Sequence, residues 1–189
     1  MTAASNGGAP EPPAVSRLEL PPLAAYVHIP WCVRKCPYCD FNSHAAGASL
    51  PEDAYVDALL EDLDADLEQI QSRRLTSIFF GGGTPSLFSA AGIEQIIAAV
   101  RARMPLAVDA EITLEANPGT VEATRFREYR AAGVNRLSMG VQSLHEDELK
   151  LLERLHTPER VVEAVRDARA AGFDNLKLDL IFEIGRAHV

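Results

Sequence analysis

Leu23-Ala-Ala-Tyr-Val-His-Ile-Pro-Trp-Cys-Val-Arg-Lys-Cys-Pro-Tyr-Cys39 is the stretch from which the rest of the chain can be read. Its first seven residues form an apolar run that stops at Pro30, which predicts a short strand. The part from Cys32 through Cys36 to Cys39 holds every cysteine of the protein. A CxxxCxxC spacing loops tightly enough for three thiolates to face one centre. Three thiolates can hold three irons of a cubane [4Fe–4S] cluster, which usually takes four cysteines. This chain has no fourth cysteine, so one iron would stay open to a small molecule. Two other readings stand beside this one. The thiols could form a Cys3His zinc site with His44 or His28, or they could be unreactive structural thiols. An even set of disulfides is excluded by the odd count and the short spacing.

Composition narrows the class. The chain has 189 residues, 47% hydrophobic and 24% charged, which suits one globular domain with a sizeable core. A formal net charge of −9 and a pI near 5.0 argue against a nucleic-acid partner. No stretch approaches the ~20 apolar residues of a membrane span. Residues 1–22 are rich in Ala, Pro, Gly and Ser and lack an apolar segment, so they predict a disordered leader and not a secretory signal. A reducing, cytoplasmic compartment follows, where free thiols persist.

Strand and helix patterns alternate from Leu23 onward. Strands are predicted over residues 23–29, 77–80, 110–116, 134–141 and 175–182. Helices are predicted over 53–70, 91–104, 121–132, 146–154 and 158–171. Such alternation implies a parallel α/β sheet of about five strands, either doubly wound or part of a βα barrel. The polar, punctuated segments all fall at strand C-termini: the cysteine loop, Gly81 to Thr84, Glu115 to Pro118, Gln142 and Asp179. Ligands bind at that edge in parallel α/β folds. The triple glycine lets backbone approach a ligand closely, and no Walker lysine follows it.

The chain resembles radical S-adenosylmethionine (SAM) proteins of the oxygen-independent coproporphyrinogen III oxidase group, and most of all that group's haem-chaperone branch. The resemblance rests on Tyr26-Val-His-Ile-Pro-Trp-Cys32, the cysteine triplet and Gly81-Gly-Gly-Thr-Pro85. It continues through Glu115-Ala-Asn-Pro118, Ser138-Met-Gly-Val-Gln142, Arg154-Leu-His-Thr157 and Leu178-Asp-Leu180. It implies a partial (βα) barrel, stopped before its sixth strand, over residues 23–182. It also implies a [4Fe–4S] cluster on Cys32, Cys36 and Cys39, with SAM at the open iron. Tyr26 and Glu115 would contact that SAM, and Gly81, Gly82 and Gly83 would meet its amino group. Tyr38, Gly83, Thr84, Gln142, Arg154 and Asp179 match positions that contact a second SAM in the oxidase. Arg34 and Lys35 are expected to offset cluster charge, and His28 and His156 to be structural. No catalytic residue is assigned.

The implied function is haem binding and delivery, with haem as cargo, haem-receiving proteins as partners and a flavodoxin or ferredoxin as electron donor. The enzymatic alternative is porphyrinogen decarboxylation through a 5′-deoxyadenosyl radical. Two departures bear on this. Phe41 stands where the oxidase has a further cysteine, which favours the chaperone branch. Residues 183–189 do not match the family's continuation and read as a non-native tail.

Overall fold

A computed structural model describes residues 20–70, 72–119 and 123–185. Five strands form one parallel sheet: β1 (Leu23–Ile29), β4 (Leu75–Gly82), β5 (Leu106–Ala116), β6 (Arg136–Gln142) and β7 (Asn175–Leu180), in that spatial order. Two short strands, β2 (Trp31–Cys32) and β3 (His44–Ala45), pair with each other beside the sheet. The order of the five runs straight along the sequence. A doubly wound sheet reverses direction part-way, so the arrangement is a segment of a βα barrel, with β1 and β7 as its edges.

The helices are α1 (Glu52–Asp66), α2 (Ala90–Arg103), α3 (Ala123–Ala131), α4 (Glu146–Leu151) and α5 (Pro158–Ala170). α1 touches α2, α2 touches α3 and α3 touches α5, so these four lie side by side. The strand pattern explains what they cover. Ile78, Phe80, Ile112, Leu114, Leu137 and Met139 alternate along β4, β5 and β6 and are fully or almost fully buried. They meet Ile93, Ile96, Ile97 and Val100 of α2 and Phe126 and Tyr129 of α3 in one core. The intervening strand residues, among them Glu111, Glu115, Arg136, Lys177 and Asp179, face the other way.

Several boundaries shift. The first predicted helix ends at Asp66, where Gln69 N–H turns back to the Asp66 carbonyl, and not at residue 70. β5 begins at Leu106, four residues early, because Leu75 N–H bonds Pro105 O and Leu106 pairs Leu75. α4 ends at Leu151, and β7 at Leu180. The β2–β3 ribbon is not visible in the hydrophobic pattern. Of the expected leader, residues 1–19 lie outside the described residues, as do 186–189 of the expected tail.

The short 3-10 turn Pro85–Leu87 follows β4 and is anchored from α3. The Tyr129 hydroxyl, fully buried, shares its one hydrogen between Ser86 O (2.7 Å) and Phe88 O (2.8 Å), and Arg125 Nη2 donates to Phe88 O (2.9 Å). Tyr129→Phe leaves the Ser86 carbonyl without that donor and should cost about 1–3 kcal/mol. Phe126→Ala should cost more, about 3–5 kcal/mol, by opening a cavity. Urea midpoints check both; an unchanged midpoint for Tyr129→Phe would show that the turn is held otherwise.

Candidate metal centre

At the C-terminal ends of the strands lies a cavity of about 320 Å³. Cys32, Cys36 and Cys39 all open onto it as free thiols, Cys32 buried and the others partly so. The loop that carries them is closed by its own backbone: Cys39 N–H bonds Cys36 O, His44 N–H bonds Pro30 O and Ala46 N–H bonds Cys32 O. Lys35 Nζ reaches Phe41 O at 3.0 Å, and Arg34 pairs with Glu153 at 3.6 Å. Neither cation bonds a thiol directly, though Arg34 lines the same cavity. The cation at the sulfurs is Arg154, whose Nη1 lies 3.5 Å from Cys36 Sγ.

Among the described residues no three His, Cys, Asp or Glu side chains converge tightly enough for a single metal ion. A cubane asks for a different spacing, because each thiolate takes its own iron corner. His28 does not join the thiols. Its Nε2 faces Asn42 O at 2.8 Å, and its Nδ1 faces the Tyr26 hydroxyl at 3.3 Å. The Asn42 carbonyl can only accept, so Nε2 carries the hydrogen and Nδ1 accepts from Tyr26. Three free thiols on one loop, facing one cavity with a cation beside them, fit an iron–sulfur cluster.

The triple glycine is required first by its neighbours. Gly82 has φ +116°, and a Cβ there would fall 2.7 Å from the His28 ring. A Cβ on Gly83 would fall 2.6 Å from Trp31 O. Gly82 and Gly83 line the cavity and Gly81 does not. Tyr26 does not line it either; its ring is 59% exposed and stacks on Phe79 at 6.1 Å.

The other expected residues gather around the cavity. Glu115 accepts from Gly82 N–H at 3.2 Å. Burial pushes its carboxyl above the ordinary range, against the pull of that hydrogen bond. Thr84 is buried and accepts from Asn117 Nδ2 at 3.1 Å. Tyr38 has its hydroxyl 3.5 Å from Arg154 Nη1, and burial pushes the phenol up to about 12. Gln142 lines the wall with φ +67° at a bulge in β6. Asp179 accepts from Ser138 Oγ (2.7 Å) and pairs with Lys177 Nζ (2.6 Å). Burial would raise it, but these partners outweigh burial and hold it below the usual range. His156 is buried and donates from Nε2 to Val141 O; burial and Arg154 depress its pKa, in keeping with a structural role.

Sequence reasoning passed over Asn117, Ser138 and Lys177. Asn117 stood inside a quoted motif, and Lys177 lies two residues before Asp179, on the same strand face.

The Radical SAM superfamily pattern matches residues 26–183. The chain belongs to the radical SAM superfamily. Membership implies a [4Fe–4S] cluster and SAM. The chain is 56% identical over 164 residues to the heme chaperone HemW of Escherichia coli (strain K12), covering 87% of this chain and 43% of that protein. It is 52% identical over 167 residues to the heme chaperone HemW of Haemophilus influenzae, covering 86% and 44%. Among solved structures it superposes on coproporphyrinogen III oxidase (HemN) from Escherichia coli with TM-score 0.78 and 32% identity, over 86% of this chain and 38% of that one. The chain thus spans less than half the length of these radical SAM relatives.

The two cavity carboxylates should titrate in opposite senses. Folding raises the Glu115 pKa, so the stability it contributes is present below the ordinary value of 4.5 and is lost as pH rises through the raised one. Glu115→Gln should therefore gain in Tm on the parent as pH rises through that window. Folding lowers the Asp179 pKa, so its contribution is present above the ordinary 3.8 and is lost as pH falls through the depressed value. Asp179→Asn should trail the parent near neutral pH and draw level in acid. Melting curves from pH 3 to 8 (roughly, the carboxylate window) check both; parallel curves would contradict the assignment.

Proposed function

We propose that this chain is the radical SAM part of a haem-binding and haem-delivering protein working in the cytoplasm. The observation that carries the reading is the 56% identity to a heme chaperone, against 32% to the oxidase. Phe41 supports it: a 61% exposed phenyl ring forms part of the cavity wall, where the oxidase group carries a cysteine. A thiol there could move a proton or hydrogen, and a phenyl ring offers only an apolar face.

Cys32, Cys36 and Cys39 would hold the cluster, and residues 23–182 would form the core around it. Bound there, a [4Fe–4S] cluster beside SAM supplies one electron for reductive C–S cleavage. The chain's own residues orient and shield. Tyr38 lies between two of these cysteines in sequence and lines the cavity beside them. Glu115 faces the cavity with one oxygen on Gly82 N–H, which leaves the other as an acceptor. The backbone of Gly82 and Gly83 presents its groups to a ligand amine without side chains between. Thr84, Gln142 and Asp179 complete the polar wall. Haem-receiving proteins and a small flavin or iron–sulfur electron donor are the proposed partners. Coproporphyrinogen oxidation is the second reading, favoured by the HemN superposition.

Anaerobic reconstitution should give about four irons and four sulfides per chain, and Ala at any one of the three cysteines should abolish them. Stoichiometric zinc without sulfide would sink the cluster. In a form of the protein as long as its relatives, haem titration should show binding. An anaerobic assay with SAM, a reductant and coproporphyrinogen III should show no turnover; sustained decarboxylation would promote the oxidase reading instead.

A further inference from the structure

We infer that Arg154 is a positioning residue for the cluster: it donates Nη1–H to the Cys36 thiolate and its charge makes the cluster easier to reduce. The inference rests on the proposed cluster and departs from the resemblance, which made Arg154 a contact of a second SAM.

Arg154 leaves the turn after α4 and crosses the cavity edge. Its Nη2 donates to Asn117 Oδ1 and to Gly140 O (2.6 Å), which fixes the guanidinium plane. Its Nη1 then lies 3.5 Å from Cys36 Sγ and 3.5 Å from the Tyr38 hydroxyl. Its Nε is buried with no hydrogen-bond partner among the described residues. No carboxylate lies within ion-pair distance of it among those residues, whereas Arg34 and Lys177, which also line the cavity, each have one. A cation drawn part-way out of water without a counter-charge is costly. Asn117 and Gly140 offer neutral oxygens and Tyr38 a phenol. Cys36 is the partner that turns anionic when it binds iron, since a metal-bound thiol is deprotonated outright. Asn117 in turn donates to Thr84, so one bonded chain joins the thiolate to the loops after β4 and β5 and to β6 itself.

The redox consequence follows from charge. Reduction adds one electron to the cubane, from sodium dithionite in the test below. The core passes from 2+ to 1+ and no bond is made or broken. With three thiolates the total passes from −1 to −2, and hydrogen bonds to the sulfurs and nearby charge set the potential of that step. A guanidinium on Cys36 favours the more negative state.

The test is potentiometric, by electron paramagnetic resonance, on the cluster-loaded protein without SAM, so that no contact between Arg154 and SAM contributes. At a solution potential near the parent's midpoint, Arg154→Gln should lower the reduced-to-oxidised ratio at least about tenfold, a shift of about 59 mV for one electron. Arg154→Lys keeps the charge without the fork and should fall between parent and Gln. Titrations that superpose on the parent's would overturn the inference, as would loss of SAM binding with an unmoved potential. If neither variant takes up a cluster, Asn117→Ala decides. It keeps the cation but removes the acceptor that aims it, so its midpoint should lie below the parent's; an unchanged midpoint overturns the inference. A parent that takes up no iron and sulfide refutes the proposed function itself, and the inference falls with it.

Discussion

Two backbone hydrogen bonds seat the cysteine loop on the sheet, and the space beside them admits no side chain. Gly83 N–H bonds Ile29 O at 2.8 Å, and Thr84 N–H bonds Trp31 O at 2.7 Å. They run on past the last ladder pair of β1 and β4, so the segment entering the cysteine loop is an extension of the sheet. Gly82 and Gly83 permit it, because a Cβ on either would strike the His28 ring or the Trp31 backbone. The position of Cys32, one residue beyond Trp31, is thereby set by strand register and not by loop flexibility. Ala46 N–H and His44 N–H close the far side of the loop on Cys32 O and Pro30 O. A set of thiolates is only as well ordered as the backbone beneath it, and here that backbone is tied to rigid strands.

The one-sided helix layer has a second effect. Because α1, α2, α3 and α5 cover one face, the apolar half of each strand alternation is consumed there. The other half is free to be polar. That inner face carries Glu111 against Arg136 (2.9 Å) near one end and Asp179 against Lys177 (2.6 Å) near the cavity. Glu115 lies between Gly82 N–H and the cavity without such an ion pair among the described residues. Two carboxylates of one wall, on β5 and β7 with β6 between them, therefore move in opposite directions, one raised by burial and one lowered by partners. Polar groups on a sheet face covered by helices would each need a partner; here they are available to ligands.

The fold was legible because its signals are local. Strand β1 ended at Pro30 as the run Leu23–Ile29 required, and the spacing of Ile93, Ile96, Ile97 and Val100 set the buried stripe of α2. The choice between a doubly wound sheet and a barrel segment was not local. It depends on where strands lie in space, and strand order decided it. Of the site, most expected positions line one cavity, since motifs at strand C-termini must share an edge in a parallel sheet. Tyr26 and Gly81 do not line it: Tyr26 stacks on Phe79, and a Cβ on Gly81 would meet both rings. The partner of Cys36 was the hardest to read. Arg34 and Lys35 adjoin the cysteines in sequence, yet Lys35 is drawn to loop carbonyls and Arg34 to Glu153. Arg154, 118 residues away, takes the place beside the sulfur.

Strain concentrates at the same edge. Gln142 holds φ +67°, a conformation that costs a residue with a Cβ about 1–3 kcal/mol unless its surroundings impose it. The surroundings do so from both sides. Ile181 N–H bonds the Gln142 carbonyl at 2.9 Å, while His156 Nε2 and Ser143 N–H both donate to Val141 O. The register shift between Gly140 and Gln142 lets the strand turn there without losing β7. A relaxed extended Gln142 would continue the pleat and carry Ser143 and the α4 approach away from the cavity. The bulge instead folds the chain back, and the turn after α4 brings Arg154 over Gly140 O and Asn117. The strained residue and the half-buried cation are thus parts of one arrangement: the kink at Gln142 sets the course of the segment that delivers the guanidinium to the thiol.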